Sequence, residues 1–121
     1  MSRKLPMVFA CSGCSHAGQL ANRMALELDR WGIAQMSCLA GVGAAKQQFL
    51  QQLRGREVWI IDGCPIECSL GVFAQVHQHV DVHIRLHELG VRKNAPSPEG
   101  SDWEQLVSDV LRYVDRRPDQ R

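Results

Sequence analysis

Five cysteines carry most of the reactive chemistry in this chain, and each lies at or just beyond the end of a short apolar run. Cys11 and Cys14 follow Leu5 to Ala10, Cys38 lies near the end of Ala34 to Leu39, and Cys64 and Cys68 follow Val58 to Ile61. A single cysteine reads as a small buried hydrophobe. Five of them at three corresponding positions, flanked by Ser, Gly and Asp-Gly, read as a site. Thiolate is among the preferred donors of zinc, which takes four ligands in a tetrahedron. The same sulfurs are open to other chemistry. Cys11-x-x-Cys14 at a strand-to-helix turn is a placement that redox dithiols use, so a thiol/disulfide or persulfide enzyme is the alternative. An iron–sulfur cluster needs similar ligands, but the spacing matches no ferredoxin pattern.

The elements that position these residues follow from periodicity. Ala17, Leu20, Ala21, Met24, Ala25, Leu28 and Trp31 recur at helical spacing, and Gly32 is a natural stop. Ala34 to Leu39 is expected to be a second strand. One helix follows it, with Phe49, Leu50 and Leu53 inward and its end at Gly55. Val58 to Ile61 is wholly apolar, as a central parallel strand should be. A third helix is expected from Pro65 to about His79, which puts Cys64 at its N-cap. Val80 to Leu86 alternates as an edge strand with one polar face, and residues 88–100 form a loop. Ser101-x-x-Glu104 reads as a capping box for a last helix bearing Trp103, Leu106, Val107, Val110, Leu111 and Val114.

Four alternating strand–helix units imply an α/β fold, an open and mostly parallel four-stranded sheet with helices on both faces, of the Rossmann or flavodoxin-like three-layer kind. Residues 1–115 make a single domain and 116–121 a frayed tail. In such a sheet every loop from strand to helix lies at the carboxyl edge, where ligands bind. All five sulfurs therefore converge on one edge. Helix N-termini beside Cys11, Cys14, Cys64 and Cys68 are expected to lower the thiol pKa values.

Bulk properties exclude other partners. Fourteen Lys and Arg balance thirteen Asp and Glu, with no basic block or helix face suited to nucleic acid or anionic lipid. No apolar run approaches the roughly 18–20 residues of a membrane span. The run after Arg3-Lys4, interrupted by Pro6, is too short for a secretory signal core. The expected compartment is the cytoplasm, where an odd number of cysteines points to metal or redox chemistry more than to disulfides.

Other residues are read conservatively. Asp62 is expected to brace the turn. His77, His79 and His83 are expected on the solvated surface, whereas His16 and His87, near strand ends, are kept as outer-shell partners. A low-molecular-weight tyrosine phosphatase would need an arginine where Ala17 stands, and Gly41-x-Gly43 is too little for a nucleotide fingerprint.

Read together, four motifs give the chain a family likeness. They are Cys11-Ser12-Gly13 with Gly18-Gln19, Met36-Ser37-Cys38-Leu39-Ala40-Gly41, Asp62-Gly63-Cys64-Pro65 with Cys68, and His87-Glu88-Leu89-Gly90. In these the chain resembles the DGC-domain proteins, described as zinc-binding and named for the triplet Asp62-Gly63-Cys64. The resemblance implies a zinc ion held by Cys11, Cys38, Cys64 and Cys68, with Cys14 outside that quartet; by position alone, Cys14 can serve as an extra ligand and Asp62, His16 and His87 as outer-shell groups. It brings no established reaction, so the expected role is metal handling or sensing.

Overall fold

The computed structural model describes residues 4–11, 13, 15–92 and 94–115. The expected C-terminal tail at 116–121 lies outside them. Four strands, β1 (Met7–Ala10), β2 (Gln35–Met36), β3 (Val58–Asp62) and β4 (Val82–Arg85), form one sheet in the order β2-β1-β3-β4. Every pairing is parallel: Met7 stands opposite Gln35 and Val58, and Asp62 opposite Arg85. The fold is the expected open α/β sheet with helices on both faces.

Side-chain alternation divides the core. Val8, Ala10, Trp59, Ile61, Val82 and Ile84 face α1 (His16–Arg30) and α5 (Ser101–Asp115). Met7, Phe9, Val58 and Ile60 face the layer of α2 (Leu39–Gly43), α3 (Gln47–Gln52) and α4 (Cys68–Gln75). There Phe73 meets Phe9 edge to face, with ring centroids 5.1 Å apart, a pairing worth roughly 0.5–1.5 kcal/mol beyond its buried area. Because β1 and β3 are interior strands, both are buried throughout and apolar up to Asp62, which ends β3.

Several local expectations are corrected. The second strand shrinks to Gln35–Met36, because Cys38 already caps α2. The expected single helix between β2 and β3 is two, α2 and α3, broken by Ala45 in the left-handed region (φ 57°). The break brings Phe49 against Gly41, where a Cβ would lie 2.3 Å from the ring. β4 is shorter than Val80 to Leu86, and a 3-10 helix (Leu86–Leu89) takes up its end. α5 begins at Ser101 itself, so this serine is the first helical residue and not the cap.

Candidate metal centre

The carboxyl edge is built from three consecutive turns. After β1, the Cys11 N–H continues the ladder to the carbonyl of Ile61 at 3.2 Å, which fixes the side chain next to β3. Its thiol accepts the backbone N–H groups of Gly63 and Gly13. At 8% exposure Cys11 is the buried member of the set. Burial pushes its thiol pKa above the ordinary value; the two N–H bonds pull the other way, and the nearby Asp62 carboxylate and Cys64 add to the rise. This reverses the lowering expected from the helix N-terminus, because desolvation of a thiolate outweighs two amide dipoles.

After β2, Cys38 is exposed and caps α2, its Sγ accepting the Gly41 N–H at 3.4 Å. After β3 come Cys64, half-buried, and Cys68, exposed. Cys64 is near enough to Cys11 for the two thiols to feel each other's charge. α2 packs against α4, so Cys38 and Cys68 lie at the starts of adjoining helices. Cys14 lies outside the described residues, as does its pairing with Cys11.

The helix after β3 does not begin at Pro65, and Cys64 is not its N-cap. Cys64 to Glu67 form a β-turn, closed by the Glu67 N–H on the Cys64 carbonyl at 3.2 Å, with Pro65 in its second position. Glu67 is the cap of α4 and adopts the left-handed conformation (φ 59°, ψ 53°), at a cost of roughly 1–2 kcal/mol for a residue with a Cβ. The helix ends at Gln75, short of His79, and His77 turns left-handed just beyond it.

Each letter of Asp62-Gly63-Cys64 has a physical task. Asp62, 1% exposed, accepts the free N–H groups of Ser69 at 2.8 Å and Leu70 at 3.3 Å in the first turn of α4. Its other partner is His83, whose Nε2 lies 2.8 Å from Oδ2. Burial alone would raise the Asp62 pKa, but the bonds from His83 and Ser69 overcome it and hold the carboxyl below its ordinary value. Gly63 lies against the first turn of α1: a Cβ there would stand 2.0 Å from the Ala17 carbonyl oxygen. That contact lets the Gly63 N–H reach the Cys11 sulfur. Cys64 then emerges beside Cys11.

The histidines divide differently from expectation. His83 is not a solvated surface residue: its side chain is 9% exposed and paired with Asp62. The parallel register, which sets Ile60 opposite His83, brings β4 beneath the same turn. No local signal in the sequence marks it, because the partner is supplied by β3 across the sheet. His16 is exposed and directs Nδ1 to the Ala95 carbonyl at 3.1 Å. His87 keeps a buried Nδ1 with no hydrogen-bonding partner among the described residues, as does the Nδ1 of His83.

The thiols are a donor type that zinc accepts, and the buried one receives two N–H groups able to offset thiolate charge. No three His, Cys, Asp or Glu side chains among the described residues are arranged to hold a metal ion. No helix among them is long and apolar enough to cross a membrane.

Comparison with known proteins agrees with the motifs. Residues 7–110 match the family model of the DGC domain. A protein of Pseudomonas aeruginosa, the anaerobic and virulence modulator AnvM, is 42% identical over 112 residues, covering 91% of this chain and 86% of its own length. No solved structure matches. With the family model spanning most of the chain and the corner geometry explaining the triplet, the chain belongs to the DGC-domain family.

Proposed function

We propose that this protein binds one zinc ion through Cys11, Cys38, Cys64 and Cys68 in the cytoplasm and uses the loaded site for metal handling or sensing. What supports the reading is the placement of four free thiols at three neighbouring strand ends of one sheet edge, with two backbone N–H groups directed at Cys11. A tetrathiolate site bears excess negative charge, and such donors offset it. When bound, zinc would cross-link the three turns. Cys11 would lose its proton to the ion's field, so burial that disfavours a free thiolate does not disfavour a ligand. The name of the Pseudomonas relative, a modulator, fits sensing better than turnover. Asp62 serves the site by fixing the Cys64–Cys68 turn on α4.

The thiol-enzyme alternative asks Cys11 to attack a substrate as an exposed thiolate. Its burial speaks against that role. Elemental analysis of protein purified without a metal-affinity tag, together with thiol titration, separates the two. The expected result is about one zinc per chain, with the thiols masked until a chelator is added, and no iron–sulfur absorption. Metal-free protein that readily forms a Cys11–Cys14 disulfide would sink the zinc reading. Cys64→Ser is expected to abolish zinc binding and retain the helical circular dichroism of the wild type, because both core clusters are complete without the ion. Loss of all helical signal in that variant would make the ion a folding element.

A further inference from the structure

Between Cys64 and Cys68 the backbone adopts a shape that this stretch would not choose by itself. Glu67 is left-handed, a conformation glycine tolerates and glutamate does not favour. Its own side chain gives α4 no capping bond. The carboxylate instead receives Nε of Arg85 at 2.8 Å, and both side chains are partly withdrawn from solvent. Arg85 in turn shares a hydrogen bond with the Tyr113 hydroxyl, which donates to the His83 carbonyl at 2.9 Å. A chain of polar contacts thus ties the turn to β4 and α5. Ile66, at the tip of the turn, is 66% exposed and contributes little packing to hold it.

We propose that Glu67 and Arg85 are positioning residues of the thiol site, clamping the Cys64–Cys68 turn in its left-handed form so that Cys64 stays beside Cys11 while Cys68 opens α4. The proposal rests on the zinc reading and explains how the site keeps its shape before the ion arrives. A ligand set held in place beforehand spends less of its binding free energy on ordering the loop. Asp62 secures the α4 side of the turn through Ser69 and Leu70. The clamp secures the other side, where the backbone is strained. Glycine at position 67 supplies the discriminating control, since it removes the ion pair and the strain together, whereas alanine removes the ion pair alone.

The test compares wild type, Glu67→Ala, Glu67→Gly and Arg85→Gln in three measurements: zinc affinity by chelator competition, alkylation rates of Cys64 and Cys68 in metal-free protein by mass spectrometry, and Tm. Glu67→Ala and Arg85→Gln are expected to lose about tenfold in zinc affinity, the size of effect set by the left-handed penalty. Both thiols are expected to alkylate faster in these two variants, and Glu67→Gly should recover most of the loss. A lowered Tm with unchanged affinity and unchanged alkylation rates would overturn the proposal and leave the clamp a structural ion pair. Should the wild type bind no zinc, the zinc reading fails, and the alkylation rates still decide the clamp. Arg85→Gln guards against a Glu67 variant that does not fold, because it breaks the same contact from the far side.

Discussion

Asp62→Ala is expected to destabilise the fold by about 3–5 kcal/mol, a large share of the total stability of a domain this size. The carboxylate is buried and accepts from Ser69, Leu70 and His83, so its removal strands two N–H groups of α4 and one imidazole nitrogen in a place water does not reach. Asp62→Asn keeps the shape but turns an N–H2 group toward donors, and it should lie between alanine and wild type. Urea unfolding at neutral pH measures both. The pH dependence has a definite sign. The folded-state pKa of Asp62 lies below its ordinary value, so its contribution is fully present above about pH 4 and is lost as pH falls through the folded value. Wild type should therefore lose stability steeply below about pH 4, whereas Asp62→Asn should show a shallower slope there. Parallel slopes in the two proteins would mean that the carboxylate is not the group whose protonation matters.

Much of this organisation is legible in the sequence because it depends on periodicity. Apolar runs at Val8, Ile60 and Ile84 and helical stripes at Leu20, Met24 and Val110 describe both faces of the sheet, and parallel topology then sends every strand end to one edge. What is not legible is set by contacts between residues distant in the chain. Pro65 is a sound local signal for a helix start, yet α4 begins at Cys68, because Asp62 caps Ser69 and Leu70 from the strand and Arg85 holds Glu67 left-handed. His83 read as a surface residue because its alternation on β4 does not reveal the partner that β3 places beneath it. The direction of the Cys11 pKa shift depended on burial by neighbouring turns, which its flanking Ser and Gly do not suggest. In each case a local rule was outweighed by an interaction across the sheet.

Gly63→Ala tests the same corner by volume instead of charge. The added Cβ would sit 2.0 Å from the carbonyl oxygen of Ala17 and 2.4 Å from its carbonyl carbon, distances no side-chain rotamer can relieve because both atoms are backbone. Either α1 must retreat or the turn after β3 must move outward. Overpacking of this kind costs about 1–3 kcal/mol, and a clash with helix backbone belongs at the upper end of that range. The functional consequence is separable from the stability loss. Moving Gly63 withdraws an N–H group from the Cys11 sulfur and shifts Cys64 away from it, so both the donor that offsets thiolate charge and the spacing between two thiols are disturbed. Zinc affinity measured at a temperature where the variant is still folded should fall at least tenfold. Gly71→Ala is a suitable control, since a Cβ there meets nothing within 4 Å and replaces a helical glycine, so it should leave affinity unchanged and stabilise α4 by up to about 1 kcal/mol. A Gly63→Ala variant that unfolds like wild type and keeps its zinc affinity would show that α1 yields freely at Ala17, and that the glycine is not what holds Cys11 and Cys64 together.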